Sequence, residues 1–156
     1  MTSKESLMRT LGEQNFFRGM DDEYLAKLAA LAAEIEVAEG EDIFEEGGSA
    51  DSAYVIVDGS VALELSVSHR GHHIVQTLHA GELLGWGWLF PPYRWSFGAL
   101  ALDPTRLIRF DAEQLRAMQE ADHDFGYDMM RRFAQVMTNR LAATRHQLVD
   151  FYGNSH

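Results

Sequence analysis

Cysteine is absent from this 156-residue sequence, which excludes disulfides, iron–sulfur clusters and thiolate zinc. Long apolar runs are absent too. No stretch reaches the roughly 18 apolar residues needed to cross a bilayer, and the opening Met-Thr-Ser-Lys-Glu-Ser has no apolar signal core. The expectation is a cytoplasmic protein with no membrane partner. Positive charge is scarce: 13 Lys and Arg face 24 Asp and Glu, a net charge of −11. Direct nucleic-acid binding needs a basic footprint, so nucleic acid is not an expected partner. The length fits one domain, residues 1–156, able to bury a core without cross-links.

Negative charge is concentrated. From Glu34 to Asp51 there are eight carboxylates and no basic residue. Asp42, Glu45 and Glu46 do not match the Asp-x-Asp-x-Asp-Gly spacing of a calcium loop, so the run reads as a solvated face.

The hydropathy texture changes twice. Leu7, Met8 and Leu11 lead into Phe16-Phe17, and Asp21 or Asp22 offers a cap for a helix carrying Leu25, Leu28, Leu31 and Ala32. Residues 1–36 are therefore assigned to N-terminal helices. Between residues 37 and 110, short apolar runs are broken by frequent glycines, as in a sandwich or barrel of short strands. Tyr54–Val57, Asp58-Gly59 and Val61–Val67 read as a β-hairpin with an Asp-Gly turn. His69-Arg-Gly71 marks another turn, and Asp103-Pro104 a third. Residues 111–156 return to helix. There Met130, Ala134, Met137, Leu141, Thr144, Leu148 and Phe151 recur at alternating spacings of four and three, a heptad seam that predicts pairing with another helix.

Chemistry concentrates between Gly81 and Ala99. Four glycines (Gly81, Gly85, Gly87, Gly98), three indoles (Trp86, Trp88, Trp95), Pro91-Pro92 and Arg94 occupy a stretch nearly free of charge. Glycine lets backbone N–H groups approach a ligand, and an arginine in apolar surroundings requires an anion. A pocket for a phosphate-like group follows, although a tight turn with a surface arginine and core tryptophans accounts for the same residues. His69, His72, His73 and His79 raise a metal-binding alternative of the cupin-like metalloenzyme kind. Cupin ligation needs His-x-His on one strand face, whereas adjacent His72 and His73 face opposite ways. No metal site, no obvious serine nucleophile and no catalytic residue is assigned.

Read in order, the chain resembles the cyclic nucleotide-binding domain, the sensor half of the catabolite activator family and of regulatory subunits and channels. Gly40-Glu-Asp-Ile-Phe-Glu-Glu-Gly47 looks like that family's first strand and turn. Asp51-Ser-Ala-Tyr54-Val-Ile-Val-Asp-Gly59-Ser-Val is similar to its Asp-x-x-Tyr-x-Ile-x-x-Gly-x-Val stretch. Ala80-Gly81-Glu-Leu-Leu-Gly85 sits where the family has Pro-Gly-Asp-x-x-Gly, Arg94 falls at the phosphate-cassette arginine, and Arg140-Leu141-x-x-Thr144 resembles the end of the central helix.

The resemblance implies an α+β fold, a β-roll of the double-stranded β-helix or jelly-roll kind with N-terminal helices and a long C-terminal helix. It implies a ligand set of Gly85, Trp86, Gly87, Trp88, Arg94, Ser96 and Thr144, with cyclic AMP or cyclic GMP as ligand and no other cofactor. Three departures fall at the ligand. Trp86 stands where the family has a glutamate that accepts from the ribose 2′-hydroxyl, and an indole accepts nothing. The cassette is one or two residues short, and Trp95 follows the arginine where a small residue is usual. Arg94 is expected to point into the barrel beside the amides of Gly85 to Trp88. Trp86 is expected over the ribose position, and Ser96, one place along an alternating strand, is displaced from the phosphate.

Only Gly153-Asn-Ser-His156 follows the central helix, so no helix-turn-helix is expected. The functional expectation is a non-catalytic regulatory sensor signalling through its C-terminal helix, as a homodimer, to an unknown effector protein. The alternative is a ligand-free interaction module with its pocket closed by Trp86.

Overall fold

Among the described residues, 3–153 of this computed structural model, seven short strands form two antiparallel sheets, with helices before and after them along the chain. Residues 1–2 and 154–156, the outer ends of the helical regions assigned from sequence, lie outside the described residues. The chain divides into two compact units, the first ending at Ala117 and the second starting at Met118.

In the first unit, α1 (Ser3–Glu13) and α2 (Asp22–Leu31) flank a 3-10 turn at Asn15–Phe17. They bury Leu11, Phe16, Phe17, Leu25 and Leu28. Phe17 meets Phe110 with ring centroids 5.9 Å apart, which seats this helical pair against the last strand. The strands are β1 (Ala32–Val37), β2 (Asp42–Phe44), β3 (Ser52–Asp58), β4 (Ser60–Val67), β5 (Gly71–His79), β6 (Gly98–Ala101) and β7 (Thr105–Asp111). One sheet has the order β1-β7-β3, the other β2-β6-β4-β5. The core contains Ile56, Val61, Leu63, Leu78, Leu84, Ala99 and Leu107, contributed by both sheets.

Two readings of the sequence need correction. Helix does not extend to residue 36, because α2 ends at Leu31 and Ala32 is already extended and paired with Phe110. The reason is visible in Glu34-Ile35-Glu36-Val37: charged residues are exposed and aliphatic ones half-buried in strict alternation, a period of two. The Asp58-Gly59 turn also does not close a hairpin. β3 pairs with β7, whereas β4 pairs with β5 and β6, so the chain changes sheets at Gly59. Gly59 has φ +109°, and a Cβ there would lie 2.8 Å from the Thr105 Cα. The corner needs glycine both for its backbone conformation and for this approach. Ser60 Oγ donates to Asp103 Oδ2 at 2.5 Å, which ties that corner to the β6–β7 turn. The His69-Arg-Gly71 turn does close a hairpin, joining β4 to β5.

Helix α3 (Ala112–Ala121) begins in the first unit, and α4 (His123–Gly153) belongs to the second. Asp122 caps α4: its Oδ1 accepts from the Asp124 and Phe125 amides at 3.1 and 3.2 Å. Gly126 permits close approach to α3, since a Cβ there would meet the Gln119 carbonyl oxygen at 2.8 Å. Phe125, Met129 and Phe133, four residues apart, form a buried stripe. Every residue from Leu141 to Gly153 is exposed.

Candidate ligand-binding site

The segment from Gly81 to Phe97 is held at both ends by main-chain hydrogen bonds. At its start, Gly81 N donates to Ile56 O, Ile56 N to Glu82 O and Leu84 N to Tyr54 O, so the segment covers the free edge of β3. At its end, Gly47 N donates to Trp95 O (2.8 Å), Trp95 N to Gly48 O (3.0 Å) and Ala50 N to Tyr93 O (2.8 Å). This ladder holds the chain extended at Arg94 and Trp95, directly after the left-handed Tyr93 (φ +55°), so successive side chains point to opposite sides.

Trp95 takes the inward position. It is 5% exposed and stacks on Phe44 at 3.8 Å with an interplanar angle of 8°, while Tyr54 completes the cluster at 6.2 Å. Arg94 and Ser96 therefore face outward and are exposed. The expected inward arginine is not found. The pleat admits one of two neighbours to the interior, and the indole loses far less by leaving water than a guanidinium does. Arg94 Nη1 donates instead to the Gly47 carbonyl at 2.9 Å. Among the described residues no carboxylate pairs with it.

The glycines are shaped around this strand and its indole. A Cβ on Gly87 would lie 2.5 Å from the Arg94 carbonyl oxygen, and one on Gly85 would meet Trp95 Cζ3 at 3.3 Å. Among the described residues, the N–H groups of Gly85 and Gly87 have no protein acceptor, and Gly85 is a buried residue. Buried N–H groups require a partner, so these two donors are open to a ligand or to water.

Phe44, Gly85, Trp86, Gly87, Trp95 and Ser96 line a narrow cleft. Space for water-sized centres inside it is about 10 Å³, room for roughly one water molecule. Of the residues expected from sequence, Gly85, Trp86, Gly87 and Ser96 thus come together, with Trp86 half-buried. Arg94 stands outside this lining. Trp88 belongs to the core: it is 0% exposed, and its Nε1 donates to the Gly85 carbonyl at 3.1 Å. Thr144 lies on α4 in the second unit, exposed, with Oγ1 donating to the Arg140 carbonyl at 2.9 Å.

Phe44, Trp95 and Arg116 were not anticipated as part of the site. Arg116, on α3, donates from Nη1 to the Trp88 carbonyl at 2.5 Å and lies 4.1 Å over the Tyr93 ring. It holds both shoulders of the turn that carries Pro91 and Pro92. The alternation of Arg94, Trp95 and Ser96 was the available signal for Trp95. Nothing local to the sequence marks Arg116.

At the β4–β5 hairpin tip, His72 Nδ1 lies 3.7 Å from Glu64 Oε2. Among the described residues, no three His, Asp or Glu side chains gather to hold a metal ion, and no helix is long and apolar enough to cross a membrane.

The cyclic nucleotide-binding domain family model matches residues 34–122. The chain belongs to this family. The chain is 28% identical over 120 residues to the cAMP/cGMP-dependent 3′,5′-cAMP/cGMP phosphodiesterase B of Dictyostelium discoideum, covering 72% of this chain and 10% of that protein. It is 21% identical over 140 residues to a CRP-like cAMP-activated global transcriptional regulator of Mycobacterium tuberculosis, covering 90% of this chain and 61% of the regulator. The chain therefore spans a tenth of one relative and under two thirds of the other. A solved structure from Geobacter metallireducens, described as a cyclic nucleotide-binding protein, superposes with a TM-score of 0.76 at 28% identity, covering 90% of this chain and 99% of that one. The α+β β-roll expected from sequence is thus the fold of this family.

Proposed function

We propose that this chain is a non-catalytic regulatory sensor whose cassette takes a small phosphate-bearing molecule. One observation carries the reading: the open N–H groups of Gly85 and Gly87 lie in the same segment as Arg94, a cation without a carboxylate partner among the described residues. Amides and a guanidinium together suit an anion bearing several acceptor oxygens. Cyclic AMP and cyclic GMP are the first ligands to consider, since the relatives' names carry them. Both bind weakly in this reading. Trp86 offers no acceptor to a ribose hydroxyl, a loss of about 1–3 kcal/mol, or roughly 5- to 150-fold in affinity. Trp95 must also yield its place on Phe44. The response leaves through α4, which pairs as a homodimer and presents a changed surface to an effector protein in the cytoplasm.

Calorimetry on three proteins tests this. Weak titration of cyclic AMP by the wild type, improved by Trp86→Glu and lost in Arg94→Ala, is the expected set. Sub-micromolar binding by the wild type overturns the role given to Trp86.

A second reading is favoured by the Trp95–Phe44 stack and the cleft space it leaves, about 10 Å³. Here the domain is a ligand-free interaction module, closed by Trp95 where the sequence had suggested Trp86. It expects no titration with any cyclic nucleotide and no effect of Arg94→Ala.

A further inference from the structure

Tyr93 holds a costly backbone conformation. Its φ of +55° lies in the left-handed region, which a residue with a Cβ occupies only under constraint. It ends a pair of turns, in which Leu89 N donates to Trp86 O and Tyr93 N to Phe90 O, each at 2.9 Å. Arg116 spans that pair. Its Nη1 donates to the Trp88 carbonyl in the first turn, and its guanidinium carbon lies 4.1 Å from the Tyr93 ring centroid in the second. Among the described residues no carboxylate pairs with Arg116, so its charge is directed at these two partners.

The two partners differ in freedom. Trp88 is 0% exposed and fixed in the core, whereas Tyr93 is half-buried and stands two places before Trp95. Trp95 faces Phe44 because the main chain is held by Ala50 N to Tyr93 O and by Trp95 N to Gly48 O. Clearing the indole from the cleft therefore means turning the main chain between Tyr93 and Trp95, since in extended backbone the facing of a side chain follows the backbone. Tyr93 gains from such a turn, because a move toward the extended region relieves its strain. The same move carries its ring from beneath Arg116. The contact between cation and ring thus belongs to the shut cassette, and a contact made in one of two states biases the equilibrium toward that state.

We propose that Arg116 is a positioning residue that latches the cassette shut through Tyr93, opposing the ligand that Gly85, Gly87 and Arg94 attract. This rests on the reading of that segment as an anion site, and it adds what regulates the site. A guanidinium serving only as one more positive charge beside an anion would act with the opposite sign, its loss weakening binding.

Two measurements on the full chain test this, one of them without ligand. In hydrogen exchange, Arg116→Gln is expected to speed exchange of the Trp95 amide roughly fivefold relative to the amides of β4, and Tyr93→Leu to do the same. The double variant goes no further, because both changes remove one contact. Arg116→Lys keeps a cation over the ring and is expected to hold the wild-type rate within about twofold. In calorimetry with cyclic AMP, Arg116→Gln and Tyr93→Leu are each expected to tighten binding, again by about fivefold. Exchange at Trp95 that is unchanged, or that rises only in step with β4, overturns the latch. Weaker binding by Arg116→Gln overturns it too, since the guanidinium then attracts the ligand. Faster exchange at Trp95 with no titration by any variant upholds the latch and overturns the anion reading instead.

Discussion

Trp88 and Trp95 on one side, and Leu148 and Phe151 on the other, have similar reasons to avoid water and opposite fates. The indoles are at most 5% exposed, whereas the α4 residues are 55% and 70% exposed. The difference lies in what each backbone provides. A strand segment between two sheets is surrounded by side chains from both, so Phe44, Tyr54 and the glycines at 85 and 87 can fit around Trp95. A helix buries one stripe, here Phe125, Met129 and Phe133, and its remaining apolar side chains need a second body. Apolar residues of the cassette are consumed by folding; those of late α4 are left for assembly.

Three variants probe that division. The largest effect is expected for Trp88→Ala, which empties a fully enclosed site and removes the hydrogen bond to Gly85. A loss of about 3–5 kcal/mol should appear in urea unfolding. A change below about 1 kcal/mol would place this indole outside the core. Next comes Gly87→Ala, whose new methyl would lie 2.5 Å from a backbone oxygen that cannot rotate away. Destabilisation of about 1–3 kcal/mol is expected, with a weakened ladder to Gly47 and Gly48 visible as faster amide exchange at Trp95. The smallest stability effect belongs to Leu141→Ser with Leu148→Ser. Each is expected to move stability by no more than about 0.5 kcal/mol, since neither side chain is covered. Self-association in sedimentation should nevertheless fall. A double variant as destabilised as Trp88→Ala would erase the distinction between the two regions.

Much of this was legible from sequence because it depends on local pattern. The β4–β5 turn, the Asp103-Pro104 turn and the return to helix after residue 110 follow from glycine, proline and periodicity. The sheet change at Gly59 did not, since an Asp-Gly pair between two strands looks alike whether the strands pair or part. What decides it is the approach of Thr105, some 45 residues later along the chain. At the site, the glycines and Arg94 stood out in the sequence. Their arrangement did not, because it turns on which of two adjacent side chains the pleat admits. The tight contact between Gly87 and the Arg94 backbone shows that the same glycine can serve the fold as well as a ligand, and composition alone does not separate the two uses.

β7 is central in its sheet, between β1 and β3, and that order has a consequence during synthesis. Val37 pairs with Thr105 and Ala32 with Phe110. The first strand thus leaves the ribosome well before its partner exists. At roughly 5–20 residues per second the wait lasts several seconds, with Ile35, Val37 and an unpaired strand edge presented to other nascent chains. This is the interval in which edge-to-edge association is most dangerous. The eight carboxylates between Glu34 and Asp51 lie on that waiting segment, with no basic residue among them. Like charges at this density repel, which disfavours edge-to-edge association of neighbouring copies. The densest negative charge in the chain thus lies on the segment that is exposed longest before its partner strand is made.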